Sequence, residues 1–489
     1  MNLDQPIRQI AAELARGDYS SRELTVAAIE RAKRLNERLN CFVTIAEDQA
    51  LAQAEQADQR IRRGQATPLT GIPVTHKDIF CIDGMLTSCG SKMLANFTAP
   101  YTATTIQKLL DAGTVTLGKA NMDEFAMGSS NENSYFGSVA NPWNTDCVPG
   151  GSSGGSAAVV AASITPVATG TDTGGSIRQP ASFCGVTGLK PTYGRVSRYG
   201  MVAFASSLDQ GGVLAHTAHD AALMLAYMAG FDPRDSTSHD HQDAWLEAVP
   251  ENGIGELEAP LTVGMPKEYF DNASIGATLY DEARRALEGQ GFRCQEITLP
   301  HTDAAIPAYY ILAGAEASTN LSRYDGVRFG HRCEDPESLE DLYERSRSEG
   351  FGAEVKRRIL TGTYALSVGY FDAYYVKAQK IRRLIQQDFL NAFSKVDLLI
   401  APTAPGTAFR RGELTDPLAM YQQDLFTIPA SLAGLPALTL PCGLHDGLPV
   451  GLQMIAAHFD EQRLLKAAAV YQSITDWHNL RPDLRMEID

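Results

Sequence analysis

Two glycine–serine clusters lie twenty residues apart in the stretch Pro149 to Lys190. The first, Gly150-Gly151-Ser152-Ser153-Gly154-Gly155-Ser156, runs into the apolar segment Ala157–Ala162, which reads as a buried helix. A loop entering a helix start leaves backbone N–H groups free to face an anion. The second, Thr171-Asp172-Thr173-Gly174-Gly175-Ser176-Ile177-Arg178, follows the strand-like run Ile164–Ala168. It places a serine directly after two glycines, where a carbonyl can approach peptide N–H groups closely. A linker would separate two domains, but these clusters alternate with apolar runs and hold Asp172 near Arg178. A phosphate loop is excluded, because Pro191 stands where the Ser or Thr after Lys190 is required. Gly150–Gly154 matches GxSxG, yet Asn144–Pro149 is no strand, so an esterase elbow is not expected.

A serine nucleophile needs a base. None of the ten histidines stands in a distinctive setting, which leaves lysine, effective only when burial keeps it neutral. Lys77, in Gly71-Ile72-Pro73-Val74-Thr75-His76-Lys77-Asp78, and Lys119, in Val115-Thr116-Leu117-Gly118-Lys119, are equal candidates on this ground.

These residues carry a resemblance. GGSSGGS, DTGGSIR and the upstream GIPVTHKD are similar to the amidase signature family of Ser-Ser-Lys hydrolases. Asn121–Gly128, Lys190–Arg198, Phe204–Gln210, Glu354–Ile359 and Ala401–Pro405 extend it to the branch that serves tRNA-dependent amidotransferases, from about residue 5 to about 475. The resemblance implies Lys77 as general base, Ser152 as a bridging serine after a cis peptide bond, and Ser176 as nucleophile. It implies an oxyanion hole of the N–H groups of Thr173, Gly174, Gly175 and Ser176. It places Arg358 on the carboxylate of glutamine and Asp424 on its ammonium, with Tyr309 lining the pocket; only alignment prefers Arg358 to Arg357. The implied activity is a glutaminase that supplies ammonia for amidating Glu-tRNA(Gln), and also Asp-tRNA(Asn) where that pathway operates. The implied partners are a B subunit, which holds most of the tRNA and uses ATP and Mg²⁺, and a small C subunit, together a heterotrimer. No cofactor or metal is expected in this chain.

The rest of the chain has to position these groups. Its 489 residues, 44% apolar, supply a large core. Helices are expected over Ile7–Arg16, from a Ser20–Glu23 capping box to about Glu37, and over Glu47–Arg63, giving a helical N-terminal segment, 1–65, before an amidase signature domain, 66–489. Strands are expected at Ile72–Thr75, Val115–Leu117, Leu261–Gly264, Val396–Ile400, Leu438–Leu440 and Val450–Ile455. Helices are expected at Thr104–Ala112, Asp220–Ala229, Ala277–Gly289, Val355–Phe393 with breaks, and Asp460–Gln472. This alternation predicts an α/β fold, and the resemblance adds that its twisted sheet is mixed, covered by helices in one continuous domain. Residues 230–258 read as a polar surface excursion, with His239 and His241 solvated rather than metal-binding. Eight scattered cysteines without CxxC pairs, no signal-peptide core and no uninterrupted apolar span predict a cytoplasmic chain with no membrane contact. The 42 basic against 58 acidic residues, net −16, repel a phosphate backbone at long range, so the tRNA falls to a partner. The remaining alternatives are a stand-alone amidase with an apolar pocket and a non-catalytic assembly protein; an intact Lys77, Ser152 and Ser176 argues against the latter.

Overall fold

The computed structural model describes residues 3–241 and 243–484. Its strands are β1 (Phe42–Ile45), β2 (Pro73–Lys77), β3 (Val115–Ala120), β4 (Val167–Asp172), β5 (Thr187–Lys190), β6 (Gln210–Ala215), β7 (Thr262–Pro266), β8 (Arg293–Ile297), β9 (Leu398–Pro402), β10 (Ala437–His445) and β11 (Leu448–Ile455). They form one eleven-stranded sheet in the order β1-β3-β2-β4-β6-β5-β10-β11-β9-β7-β8. β2 is parallel to β3 and β4, and β7 to β8 and β9, while the other neighbours are antiparallel, so the sheet is mixed. Strands β2 to β6 are buried along their whole length, as helix-covered strands must be.

All six expected strands are present, each shifted or extended by a few residues. β1, β5, β6 and β8 were not expected from the pattern: β1 and β5 are four residues long, β6 opens with Gln-Gly-Gly, and β8 is mostly polar at an edge. β1 corrects the reading of 1–65 as purely helical. It follows the helix Ser21–Leu39 and pairs antiparallel with β3, so this segment closes one edge of the sheet as well as covering it. The capping box is present, with Ser20 Oγ accepting from Glu23 N–H and Glu23 carboxylate accepting from Ser20 N–H. Residues 230–258 are also less loose than expected. Ala244–Asn252 is a helix that buries Leu246 and Val249, and buried Asp232 binds Thr104 and Ser197.

The parallel pairing of β2 with β4, Val74 opposite Val167 and His76 opposite Thr169, brings the carboxyl ends of both strands to one edge. That is where open α/β sheets place their ligands. Lys77 ends β2 and Asp172 ends β4. Between these strands the chain runs through the loop Pro149–Ser153 into the fully buried helix Gly154–Ala161, whose Ser156 Oγ donates to Thr169 O at 2.9 Å. Among the described residues no helix is long and apolar enough to cross a membrane, and all eight cysteines are free thiols.

Candidate active site

Lys77 is fully buried, and its Nζ reaches three hydroxyl oxygens: Ser152 at 2.8 Å, Ser153 at 2.9 Å and Thr171 at 2.8 Å. Among the described residues no carboxylate touches it. Burial lowers its pKa to about 7, against the opposing pull of Asp123, Asp172 and Asp209 at longer range. A neutral amine has two N–H donors and one lone pair. Ser153 Oγ already donates to Thr171 O at 3.1 Å, so toward Lys77 it can only accept. The second N–H and the lone pair then fall to the Ser152 and Thr171 hydroxyls, both at 2.8 Å. Lys119, the rival, is settled by its surroundings: its Nζ forms a buried ion pair with Asp78 at 2.9 Å and donates to Thr87 Oγ1 at 3.0 Å. It serves as the counter-ion of a buried acid.

The Gly151–Ser152 peptide is cis. A Cβ on Gly151 would sit 1.9 Å from Asp123 Oδ2, so the loop rests directly on that buried acid and only glycine fits. Burial raises Asp123 to about 7. The expected free helix start is filled at one position. Gly155 N–H is taken by Asn121 O at 3.2 Å and Asn131 Oδ1 at 3.1 Å, so the helix Gly154–Ala161 is anchored at its N-terminus by protein.

The two clusters meet through Ser153 N–H, which donates to Ser176 O at 3.1 Å. Ser176 retains slight exposure, 8%, beside fully buried neighbours, which is the requirement for a group that meets a substrate. Among the described residues none accepts a backbone hydrogen bond from Gly174, Gly175 or Ser176 N–H. Those donors are available to a developing oxyanion. Thr173 is held by its side chain, Oγ1 donating to buried Asp209 at 2.8 Å. Gly175 has φ +150°, and a Cβ there would lie 2.2 Å from Thr427 Oγ1, which itself donates to Gly174 O at 2.7 Å.

Arg178 fixes this loop from below. Its Nε and Nη2 form a two-pronged pair with Asp172 at 2.9 and 2.8 Å, and its remaining N–H groups reach Thr427 O, Gln453 Oε1 and Ser431 Oγ. All five donors are used inside the protein. Burial would raise the Asp172 pKa, but Arg178 outweighs it and holds the carboxyl below the ordinary range. Arg178→Met strands Asp172 as an unpaired buried charge. It is expected to lower stability by about 3–5 kcal/mol, read as a lower urea midpoint in an otherwise cooperative transition.

Arg358 and Arg357 separate clearly. Arg357 is exposed and pairs with Glu354, whereas Arg358 is 5% exposed. Its guanidinium lies 4.4 Å from the ring centre of Tyr310 and 5.1 Å from that of Tyr421. Its Nε donates to Glu354 Oε1 at 2.7 Å, and Tyr421 OH donates to the same oxygen at 2.9 Å. The guanidinium is thereby oriented with its two terminal nitrogens unclaimed among the described residues. Asp424, an apparently ordinary acid in the sequence, is 6% exposed, and burial raises it to about 7. Its Oδ2 accepts from Ser129 Oγ at 2.5 Å. Tyr309 is buried, its ring against Gly174. A cavity of about 290 Å³ is lined by Ser129, Ser130, Glu354, Arg357, Arg358 and Tyr421, while Asp424, Tyr309 and Ser176 lie outside its lining. Ser129 joins its wall to Asp424.

Sequence reasoning missed Ser153, Thr171, Ser129, Glu354 and Tyr421. Glu354 had a visible signal, since it stands four residues before Arg358 on one helix face. Ser129 and Tyr421 had none. His239 and His241 pack on Phe459, with His241 beside Asp243, and among the described residues no group of three or more His, Cys, Asp or Glu is placed to hold a metal ion.

Fold and site together define a hydrolase in which a buried lysine, rather than a histidine, faces a pair of serines. The chain belongs to the Amidase family, whose model matches residues 23–465. It is 60% identical to the glutamyl-tRNA(Gln) amidotransferase A subunit of Hahella chejuensis, over 99% of both chains, and 58% identical to that of Alkalilimnicola ehrlichii, over 98% of this chain and 99% of the relative. Among solved structures it is similar to the glutamyl-tRNA(Gln) amidotransferase A subunit of Thermotoga maritima, with 39% identity, a TM-score of 0.76, and 92% and 91% of the two chains covered. It is also similar to a 6-aminohexanoate cyclic dimer hydrolase, with 26% identity, a TM-score of 0.85, and 99% and 100% covered.

Proposed function

We propose that this chain is the glutaminase subunit of a tRNA-dependent amidotransferase, releasing ammonia from glutamine for transfer to glutamate, or aspartate, attached to tRNA. The observation that carries the reading is the coexistence of a buried Lys77–Ser152 contact with an oriented Arg358 and a buried Asp424. An amide bond alone needs only the first. Free glutamine, with a carboxylate and an ammonium, needs all three.

Neutral Lys77 takes a proton from Ser152, Ser152 takes one from Ser176, and Ser176 Oγ bonds to the side-chain amide carbon of glutamine. The carbonyl oxygen becomes an oxyanion held by the N–H groups of Thr173, Gly174, Gly175 and Ser176, each such donor contributing about 3 kcal/mol. Collapse breaks the C–N bond, and the proton on Lys77 returns through Ser152 to the leaving nitrogen, which departs as ammonia. Water then attacks the glutamyl ester, giving its proton to the same relay, and glutamate and Ser176 are released. Arg358 holds the α-carboxylate, Asp424 the α-ammonium, and Tyr309 the alkyl chain between them. ATP and Mg²⁺ act in the B subunit, which binds the tRNA; the C subunit joins the two; the assembly works in the cytoplasm.

Ammonia release from glutamine by the purified chain, alone and with its companion subunits, tests the reading directly. The expected result is glutamate and ammonia in equal amounts. A complex that amidates tRNA from free ammonia but leaves glutamine intact overturns it.

Glu354 acts here through Arg358. Glu354→Ala is expected to raise the KM for glutamine about ten-fold or more while kcat changes only a few-fold, because it frees the guanidinium to rotate. Glu354→Gln keeps an oxygen for Arg358 Nε and Tyr421 OH and recovers most of the loss. Equal damage from both variants, or a fall in kcat alone, contradicts the positioning role.

A further inference from the structure

The helix Ala353–Leu366 has two functional faces. Inward it presents Glu354 and Arg358 to the substrate cavity. Outward, it and the turn after it expose a run of apolar and aromatic side chains. Leu360 is 70% exposed and Val368 fully exposed, with Tyr364, Tyr370, Phe371 and Tyr374 between 40% and 49% exposed. The rings of Tyr364 and Tyr370 lie 4.3 Å apart, with Tyr374 6.0 Å from each, so this end of the patch is contiguous. Single exposed apolar residues are ordinary, whereas a cluster of this kind marks a contact surface. Residues 353–386 also contain seven Lys and Arg against two Asp and Glu, in a chain of net charge −16. Lys356, Lys377, Lys380 and Arg383 are exposed within this span.

Behind the patch lies a cavity of about 390 Å³, lined by Leu366 and Tyr375 on one side and by Ser206 and Ser207 on the other. The loop bearing those serines is held by Asp209, which accepts from Phe204 and Ala205 N–H and from Thr173 Oγ1. One loop therefore separates this cavity from the backbone donors beside Ser176.

We propose that this patch docks the companion subunit that consumes the ammonia, through an apolar protein surface rimmed by acidic side chains. The inference rests on the glutaminase reading above. Aromatic anchors supply most of the energy of such contacts, and the basic rim selects an acidic partner. A second copy of this chain fits poorly, because a two-fold contact would set the basic rim against itself. RNA would use the charges and rings but gains nothing from Leu360 and Val368.

The test is association of the full chain with the ammonia-accepting subunit, measured by titration at two salt concentrations. Val368→Glu and Tyr370→Ser are each expected to weaken association about ten-fold or more. Lys377→Glu with Lys380→Glu weakens it most at low salt. Leu444→Glu, on the β10–β11 hairpin, leaves it unchanged. Every variant keeps the wild-type melting temperature and glutamine hydrolysis. Patch variants that associate like the wild type overturn the proposal. So does loss of self-association, or of tRNA retention, with subunit binding intact. A wild-type chain that hydrolyses no glutamine in any assembly instead refutes the glutaminase reading, independently of where the subunits meet.

Discussion

Ser176→Ala lowers glutamine hydrolysis by roughly 10⁴-fold or more and leaves the melting temperature and glutamine binding close to wild type. The expectation comes from what the hydroxyl does and does not do. Among the described residues its oxygen has no hydrogen-bond partner, whereas its main-chain carbonyl ties the two glycine–serine clusters together. Alanine keeps the carbonyl and the backbone N–H, so the loop persists while the attacking atom is gone. No second nucleophile can replace it, because Ser152 and Ser153 are completely buried against Lys77. Residual activity reflects oxyanion stabilisation and substrate placement alone. Ammonia release at the wild-type rate by a folded Ser176→Ala chain refutes the assignment of the nucleophile.

Lys77→Arg is expected to be comparably damaging, and for an electrostatic reason. A guanidinium cannot lose its proton at accessible pH, so it supplies donors to Ser152 and Ser153 but no lone pair. The wild-type pH profile carries the same signature. Lys77 is held near 7 by burial and must be neutral to act, so kcat rises with pH through about 7 and then levels. Asp424, raised to about 7 by burial in the free site, must be ionised to receive the ammonium. Below pH 7 both groups fail together in the free enzyme, and log kcat/KM is expected to fall with a slope approaching two. In the complex the ammonium stabilises the Asp424 carboxylate, leaving Lys77 alone to titrate, so log kcat falls with a slope of one. Asp424→Asn reduces the kcat/KM slope to one and raises KM. An acidic limb unchanged in Lys77→Arg would falsify the lysine base.

The proposed catalytic core was legible because its residues are close in the chain and their types are restrictive. Ser152 and Ser176 lie within one stretch, and the glycines around them answer to backbone approaches that no side chain permits, such as Gly151 on Asp123. The strands and helices with clear periodicity were also legible, whereas β1, β5 and β6 were too short or too glycine-rich to show a period. Glutamine recognition was not readable from the residues themselves. Arg358 is buried and Arg357 exposed although they are adjacent in one helix, because successive positions turn by about 100° and only one faces Tyr310 and Tyr421. Resemblance picked Arg358, and packing distinguishes it from Arg357.

The sequence by itself determined the chemistry available: two serines with flexible glycine backbones, a lysine at the end of a buried strand, and a net charge of −16 that repels phosphate backbones at long range. Tertiary structure separated the two candidate lysines. Lys77 and Lys119 end neighbouring strands and are both completely buried, so local pattern cannot separate them. Lys119 is given Asp78, 2.9 Å away, and remains a counter-ion; Lys77 is given three hydroxyls and no carboxylate in contact. The difference lies in partners delivered by distant segments, which no local pattern in the chain records.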